Sequence, residues 1–97
     1  MIYHVTTNAA WQLAKENGRY EHISLEKEGF IHNCSRAQLA GVLDRYYKDG
    51  KDLLLLHIDE NLLEAELKYE LAASVNETFP HIFGPINIDA VVNTEPI

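Results

Sequence analysis

The chain has 97 residues, of which 46% are hydrophobic and 24% charged, so it forms one small domain, residues 1–97, and is too hydrophobic for intrinsic disorder. Its eight Lys and Arg residues are scattered and outnumbered by fifteen Asp and Glu, and the net charge of −7 disfavours nucleic acid and membrane surfaces as partners. No aliphatic run approaches the roughly 18 residues of a membrane span, no signal peptide pattern is present, and the single Cys34 has no internal disulfide partner, so a cytoplasmic location is expected.

The N-terminal part of the chain predicts a strand, a capped helix and a polar segment. Residues 2–6 alternate in the way that is typical of a strand. Thr7 can then cap a helix that is predicted near residues 8–16. Gly18 suits the left-handed conformation that ends many helices. Residues 19–28 are polar and irregular, and we expect at most one helical turn within them.

The best local signal follows a short strand at residues 30–33. The run Ser35-Arg36-Ala37-Gln38 fits a capping box, in which the Ser hydroxyl accepts from the Gln amide while the Gln side chain reaches back. Apolar residues then recur at helical spacing. A second helix is therefore predicted near residues 35–47.

A buried strand and an alternating strand are predicted after the second helix. Residues 52–59 form an apolar run that is typical of a strand buried on both faces. A turn or short 3₁₀ piece is expected at residues 61–63. Residues 65–72 alternate between apolar and charged, which places Tyr69 and Leu71 inward and the charged side chains outward.

The last part of the chain contains a stiff aromatic segment. Residues 79–85 hold two prolines and a glycine, and proline fixes φ and lacks a backbone donor, so we expect an ordered loop rather than a paired strand. Residues 86–93 then predict a closing strand. Two helices and four to six strands without regular alternation indicate an α+β domain.

Three of the five histidines occupy unusual places. His4 lies on the polar face of the first strand, His32 on the short strand before the capped helix, and His81 in the aromatic segment. Because imidazole is costly to bury without partners, we expect these three side chains to converge on one cleft. His22 and His57 have no comparable context and are interpreted as structural.

The remaining reactive residues leave alternatives open. No histidine pair has metal-ligand spacing and there is no Cys-x-x-Cys, so no metal is expected. Cys34 follows His32 by two residues, so a thiol–imidazole pair on one strand face is conceivable, while a buried inert cysteine is the plainer interpretation. Glu70 is the best-placed carboxylate, at the end of the alternating strand, and its plainer interpretation is a solvated glutamate.

Taken together, these residues resemble a small bacterial family called domain of unknown function 952. The segments that carry the resemblance run from residue 2 to about residue 94 and are Ile2-Tyr3-His4-Val5-Thr6, Trp11, Gly18-x-Tyr20, Ser24-Leu25, Glu28-Gly29-Phe30-Ile31-His32, Gln38, Glu70, Phe79-Pro80-His81-Ile82-Phe83-Gly84-Pro85 and Asp89-Ala90-Val91-Val92. The family is similar in fold to ADP-ribosyltransferases and RNA 2′-phosphotransferases. The resemblance therefore implies a cleft for NAD or an ADP-ribose-like group between two small antiparallel sheets.

The resemblance also implies roles for individual residues. His4 matches the transferase histidine that hydrogen-bonds a ribose hydroxyl beside the nicotinamide, and Thr6 lies next to it. His32 is placed similarly to the histidine in the His-x-Ser strand of the phosphotransferases. Glu70 is the counterpart of the glutamate that stabilises an oxocarbenium-like transition state. His81 belongs to the family's own Phe-Pro-His loop.

Three further residues are candidate ligand contacts in this picture, namely Cys34, Ser35 and Phe83. Cys34 departs from the family pattern, because it fills a place that is commonly Ser. The arginines that RNA phosphotransferases use on phosphate have no counterpart beside His4 or before His32. Together with the charge of −7, this departure argues against an RNA substrate.

The leading hypothesis is an ADP-ribosyltransferase-like domain that binds NAD or a related ribonucleotide, and whose chemistry, if it is catalytic, is cleavage of the nicotinamide–ribose bond. One rival is a non-catalytic ligand-binding or interaction module. Another is a thiol enzyme that uses Cys34 and His32. Since His4 is expected to face the ligand and not the core, His4→Ala should remove nucleotide binding and leave the fold intact.

Overall fold

The computed structural model describes all residues, Met1–Ile97, and contains three α-helices and eight short strands. The helices are α1 (Asn8–Asn17), α2 (Ile23–Glu28) and α3 (Leu39–Tyr46). The strands are β1 (Ile2–Thr7), β2 (Arg19–Tyr20), β3 (Ile31–His32), β4 (Leu53–Ile58), β5 (Leu67–Ala72), β6 (Glu77–Ile82), β7 (Ile86–Asn87) and β8 (Val91–Pro96), with single-turn 3₁₀ helices at Glu60–Leu62 and Ile88–Ala90. None of the helices has the length and apolarity needed to cross a membrane.

The strands form three small sheets in which every pairing is antiparallel. Their orders are β1-β4-β8, β2-β7 and β3-β6-β5. The predicted α+β class with split antiparallel sheets is confirmed at this level. The predicted number of helices was too low by one, and eight strands replace the expected four to six.

One pair of residues links the backbones of the first and third sheets. Tyr3 in β1 and Cys34, just after β3, form an isolated antiparallel bridge. Each donates its amide to the other's carbonyl at 2.8 Å. Both residues line the cleft described below.

The first sheet is buried on both faces, as the apolar run at residues 52–59 predicted. One face packs into the larger core cluster of eleven residues, which contains Ile2, Leu54 and Leu56. The other face carries Val5 and Leu55 into a second cluster with Cys34 and Leu39. Both faces of β1 are therefore covered, which matters for His4.

The first two helices have clear end signals. At α1, Thr7 Oγ1 accepts from the Ala10 amide at 3.1 Å, and Gly18 ends the helix at φ 83°, as predicted. Residues 19–28 are more regular than expected, since they contain β2 and all of α2. His22, a residue outside the usual set of caps, caps α2, and Gly29 ends it at φ 87°.

The second predicted helix is shorter than its capping box implied. The box itself forms: the Gln38 amide donates to Ser35 Oγ at 3.2 Å, and the Ser35 amide donates to Gln38 Oε1 at 2.9 Å. The residues between them form a tight turn, and the α-helical geometry begins only at Leu39 and ends at Tyr46. The helix predicted at residues 35–47 therefore begins about one turn later than expected.

The aromatic segment at residues 79–85 is a strand over its first half, so the loop prediction was wrong there. Pro80 lies in β6, the central strand of its sheet, opposite Tyr69. Its carbonyl accepts from the Asn33 amide at 3.1 Å. Pro80 has no amide N–H to donate. An N–H at this position would point to the same side as the carbonyl, just past the end of β3, where there is no regular strand pairing to disrupt.

The prediction for β5 was wrong at two of its inward residues. Tyr69 is 54% exposed and Leu71 is 64% exposed, whereas Glu70 is half-buried. β5 is an edge strand, and only its first residue, Leu67, packs against the main core as predicted. On the opposite face, Glu70 contacts His81.

The closing strand predicted at residues 86–93 is interrupted. β7 pairs with β2, whereas β8 pairs with β4 in a different sheet. The 3₁₀ turn Ile88–Ala90 carries the chain from one sheet to the other, with Ala90 fully buried. The local sequence of residues 86–93 does not show that the chain passes from one sheet to another, because both halves of the segment have the apolar pattern of a strand.

Candidate active site

The first and third sheets enclose one cleft of about 510 Å³. Its walls come from β1, from β3 and the residues that follow it, from β6, and from α3 with the turn after β5. Four of the five histidines line it, namely His4, His22, His32 and His81. The structure therefore brings together the three histidines singled out from the sequence, and adds His22 to them.

His4 lies at the floor of the cleft with only 3% of its surface exposed. It does point away from Tyr3 and Val5, as the strand alternation predicted, but the face it points to is also buried. Its Nδ1 lies 2.6 Å from the carbonyl oxygen of His32, and its Nε2 lies 2.8 Å from the Tyr20 hydroxyl. Both ring nitrogens are thus occupied by protein groups.

The hydrogen bonds around His4 fix its tautomer. A carbonyl oxygen can only accept, so Nδ1 carries the proton and donates to it. Burial lowers the pKa of His4 to about 4; the backbone hydrogen bond to His32 opposes this, and electrostatic repulsion from the His22 and His32 rings acts in the same direction as burial. The ring is therefore neutral at pH 7 and Nε2 accepts a hydrogen bond from the Tyr20 hydroxyl.

Tyr20 and Thr6 extend this network into the core. The Tyr20 hydroxyl lies 2.9 Å from Thr6 Oγ1, and since its proton goes to His4, the Thr6 hydroxyl donates to it. Burial raises the pKa of Tyr20 to about 12, against the opposing effect of the Thr6 hydrogen bond. Thr6 is buried and is not a wall of the cleft, so this predicted ligand contact acts as a partner of Tyr20.

His22 reaches the cleft because of its role as a helix cap. Its Nδ1 accepts from the Ser24 amide at 3.1 Å and lies 2.8 Å from the Ser24 hydroxyl. The proton of the neutral ring is therefore on Nε2. Burial lowers the pKa of His22, and the charge of His32 adds to this effect. The ring packs edge-on against His4, with 5.5 Å between centroids.

His32 forms the outer rim of the cleft together with Glu28. The His32 ring nitrogen Nε2 donates to Glu28 Oε2 at 2.8 Å, and both side chains are about half exposed. Nδ1 of His32 has no protein partner. Sequence interpretation missed Glu28, although its spacing of four residues before His32 was a usable signal.

His81 lies beside His32, directly across the β3–β6 pair. Its Nδ1 donates to Glu70 Oε1 at 2.7 Å, while its Nε2 has no protein partner. The ring stacks on Phe30 with 4.1 Å between centroids and 14° between planes. It also contacts His32 edge-on at 5.3 Å, so the rim holds two imidazoles that are each oriented by a carboxylate.

Glu70 supports the site from behind His81 and is not itself a wall of the cleft. Phe83 is likewise outside the walls: it packs against Phe30, with the Lys68 ammonium 5.1 Å from its ring. Ser35 serves the capping box. The three residues are therefore near the site, and only Glu70 touches a histidine of it.

Cys34 lines the cleft but is 2% exposed and belongs to the second core cluster. Burial raises its pKa to about 11. Its neighbour His32 is committed to Glu28, and no side-chain hydrogen bond joins the two. A thiol that is protonated and shielded is a poor nucleophile, so the geometry disfavours the thiol-enzyme hypothesis.

Asn33 is a further wall residue that sequence interpretation missed. Its side-chain Nδ2 donates to the Ile31 carbonyl at 2.8 Å, which fixes the orientation of the amide. Its Oδ1 is buried and has no hydrogen-bond partner. An unpartnered buried acceptor is uncommon in folded proteins and marks this point of the cleft floor.

The electrostatic character of the cleft follows from its residue types. No Lys or Arg lines it, and Glu28 is its one carboxylate. No group of three or more His, Cys, Asp or Glu side chains is arranged to hold a metal ion. The polar chemistry of the cleft is therefore that of imidazoles, one side-chain amide, one carboxylate and the phenol groups of three tyrosines, Tyr3, Tyr46 and Tyr47.

Comparisons with known proteins find similar solved structures and one matching family model. The crystal structure of protein CC0527 from Caulobacter crescentus superposes with a TM-score of 0.86 at 27% identity, covering 98% of this chain and 83% of that one. Its solution NMR structure gives 0.82, also at 27% identity, over 97% and 81% of the two chains. No curated protein matches the chain. The model of the family "Protein of unknown function (DUF952)" matches residues 5–94, and the chain therefore belongs to the DUF952 family.

Proposed function

We propose that this protein binds a nucleotide-type small molecule, NAD or an ADP-ribose-like group, in the cleft. The observation that carries the proposal is the meeting of four imidazoles from four separate segments in one cleft. Its volume of about 510 Å³ falls in the range of small-molecule sites. Aromatic walls, such as Tyr47 and Phe79, suit a flat base, and free imidazole nitrogens suit ribose hydroxyls.

The arrangement of the sheets supports the same ligand class. Small antiparallel sheets on two sides of a cleft are what the resemblance to ADP-ribosyltransferases implies, and that finer fold relationship is part of the proposal. A cytoplasmic location also belongs to it, because a free thiol such as Cys34 persists where disulfides are kept reduced.

The chemistry we propose is hydrolysis of the nicotinamide–ribose bond. The His81 ring, held by Glu70, takes a proton from water at Nε2 as the water oxygen bonds to the ribose carbon. The bond to nicotinamide breaks with its electron pair going to the nicotinamide nitrogen, which leaves as a neutral ring. Glu70 acts through His81 and stabilises the imidazolium that forms.

A pair of matched variants tests the binding proposal. Ala72→Trp places a large side chain in the cleft, because Ala72 lines it, whereas the exposed neighbour Ala73 does not. Titration calorimetry with NAD and ADP-ribose should show binding to wild type and to Ala73→Trp, and at least a tenfold loss in Ala72→Trp. Equal binding by the two variants would show that the ligand binds somewhere other than this cleft.

The non-catalytic module remains the second candidate, and a specific observation favours it. Both ring nitrogens of His4 are occupied and Glu70 does not line the cleft, so the two residues matched to transferase catalysis are engaged with protein groups. Chromatography of NAD incubated with the protein separates the candidates. Nicotinamide release that disappears in His81→Phe supports hydrolysis, and binding without release supports the module.

A further inference from the structure

The unoccupied hydrogen-bonding groups of the cleft define a more specific ligand, an inference that rests on the proposed function. Two of them are on the rim. His32 donates through Nε2 to Glu28, and His81 donates through Nδ1 to Glu70. In a neutral imidazole the other nitrogen is an acceptor, so Nδ1 of His32 and Nε2 of His81 both accept.

A third acceptor lies at the floor. Asn33 is 5% exposed, its Nδ2 is held by the Ile31 carbonyl, and its Oδ1 has no partner. Because Nδ2 must be the atom that faces a carbonyl, the unpartnered atom is the acceptor and not a donor. A donor from a ligand would satisfy it.

His22 supplies an imidazole donor to the cleft. Nδ1 of His22 accepts from the Ser24 amide, which leaves the proton on Nε2. His4 adds nothing, because both its nitrogens are bonded within the protein. The histidines and the Asn33 amide thus offer three acceptors and one donor, and the walls also contain Tyr3, Tyr46 and Tyr47, whose hydroxyls can donate or accept.

The nearby cations are committed elsewhere. Arg36 pairs with Glu95 at 2.8 Å and lies over the Tyr3 ring, and Lys68 lies over the Phe83 ring. No Lys or Arg lines the cleft, and the Glu28 carboxylate does. An anionic pyrophosphate would lack the charge-assisted donors that phosphate sites use, and would be repelled by Glu28.

We propose that the cleft recognises a nucleoside part of its ligand, through the ligand's hydroxyl and amino donors, and that phosphate groups stay outside it. Sugar hydroxyls donate to Nδ1 of His32 and to Oδ1 of Asn33, and Nε2 of His81 is left for the water of the proposed hydrolysis. The base stacks against the aromatic wall. Within the proposed ligand class, this places the specificity at the nucleoside and makes phosphates unfavourable neighbours.

Titration calorimetry at pH 8, which favours neutral rings, tests the proposal with four probes: adenosine, AMP, ADP-ribose and NAD. We expect adenosine to bind at least tenfold more tightly than AMP. If AMP, ADP-ribose or NAD binds as tightly as adenosine or more so, the inference is wrong and the proposed function stands. If none of the four binds, the proposed function fails and the inference fails with it.

A matched pair of variants tests whether the rim acceptors are responsible. His32→Phe keeps an aromatic ring against His81 and Phe30 but removes the acceptor, and it should weaken adenosine binding about tenfold. His57→Phe is the control, because His57 also pairs with a carboxylate, Glu95 at 2.8 Å, but lies outside the cleft. Equal losses in both variants, or no loss in His32→Phe, would overturn the proposal.

Discussion

The floor and the rim of the cleft are built from the same residue type and differ in what their imidazoles have left to offer. At the floor, both nitrogens of His4 are bonded inside the protein, and the ring is buried and neutral. At the rim, His32 and His81 each spend one nitrogen on a carboxylate and keep the other free. The floor is built for stability, and the rim is available to a ligand.

A histidine that lines the cleft is therefore a candidate ligand contact only if one of its ring nitrogens is free of protein hydrogen bonds. The resemblance implied a ribose contact for His4, which lines the cleft, yet it has no nitrogen free for a ribose hydroxyl. The resemblance implied no such contact for His81, yet its Nε2 has no protein partner. Substitutions at the floor and at the rim test this difference, because they should change the stability of the protein by different amounts.

The largest effect is expected for His4→Ala. The substitution removes a 3% exposed side chain and leaves the buried Tyr20 hydroxyl and the His32 carbonyl without their partner. Each unsatisfied group costs about 1–3 kcal/mol, so the free energy of unfolding should fall by about 3 kcal/mol. Urea unfolding followed by circular dichroism measures it. An unchanged urea midpoint would show that His4 does not stabilise the fold. That is the outcome expected from the sequence pattern alone.

The next effect is a loss of stability in acid. The pKa of His4 is about 4 in the folded protein and 6.5 is its ordinary value, so the unfolded chain binds the proton more readily between these values. The contribution of His4 is therefore fully present above pH 6.5 and is lost as the pH falls toward 4, amounting to about 2 kcal/mol between pH 7 and pH 5.

Measuring this effect requires a subtraction. Burial also lowers the pKa of His22, and the lowered pKa of Glu95 acts with the same sign at lower pH. Urea unfolding of wild type and of His4→Asn at both pH values isolates the contribution of His4. A slope that is the same in the two proteins would mean that the floor histidine does not titrate as its burial requires.

The smallest effect is expected at the rim. His32→Ala breaks a hydrogen bond between His32 and Glu28, whose side chains are 54% and 50% exposed, so the free energy of unfolding should change by less than about 1 kcal/mol. Glu28→Gln should behave alike. A loss as large as that of His4→Ala in either variant would erase the distinction between floor and rim.

Local signals predicted the parts of the fold that are determined locally. Thr7 and Gly18 bound α1 as expected, because capping depends on a few neighbouring backbone groups. The Ser35–Gln38 box forms, but it caps a turn that precedes the helix. Pro80 could not be placed in a strand from its sequence, because what tolerates it is the early end of β3, a tertiary fact.

The sequence predicted which histidines line the cleft better than it predicted what each of them does there. Strand patterns located His4 and His32, and the stiff aromatic segment singled out His81, although that segment was expected to be a loop. Neither pattern indicated that Tyr20 would complete the bonding of His4, since their contact joins residues sixteen apart. The Asn33 acceptor was also beyond reach, because an unsatisfied atom is visible only once every neighbour is in place.

The bridge between Tyr3 and Cys34 has a mechanical consequence. Its two backbone hydrogen bonds of 2.8 Å are the backbone link between the sheets on either side of the cleft, so the walls cannot separate near β1 without breaking them. The exchange of these two amide protons with solvent deuterium is therefore a gauge of cleft opening. A ligand that closes the cleft slows both of them together, whichever chemical groups it contacts.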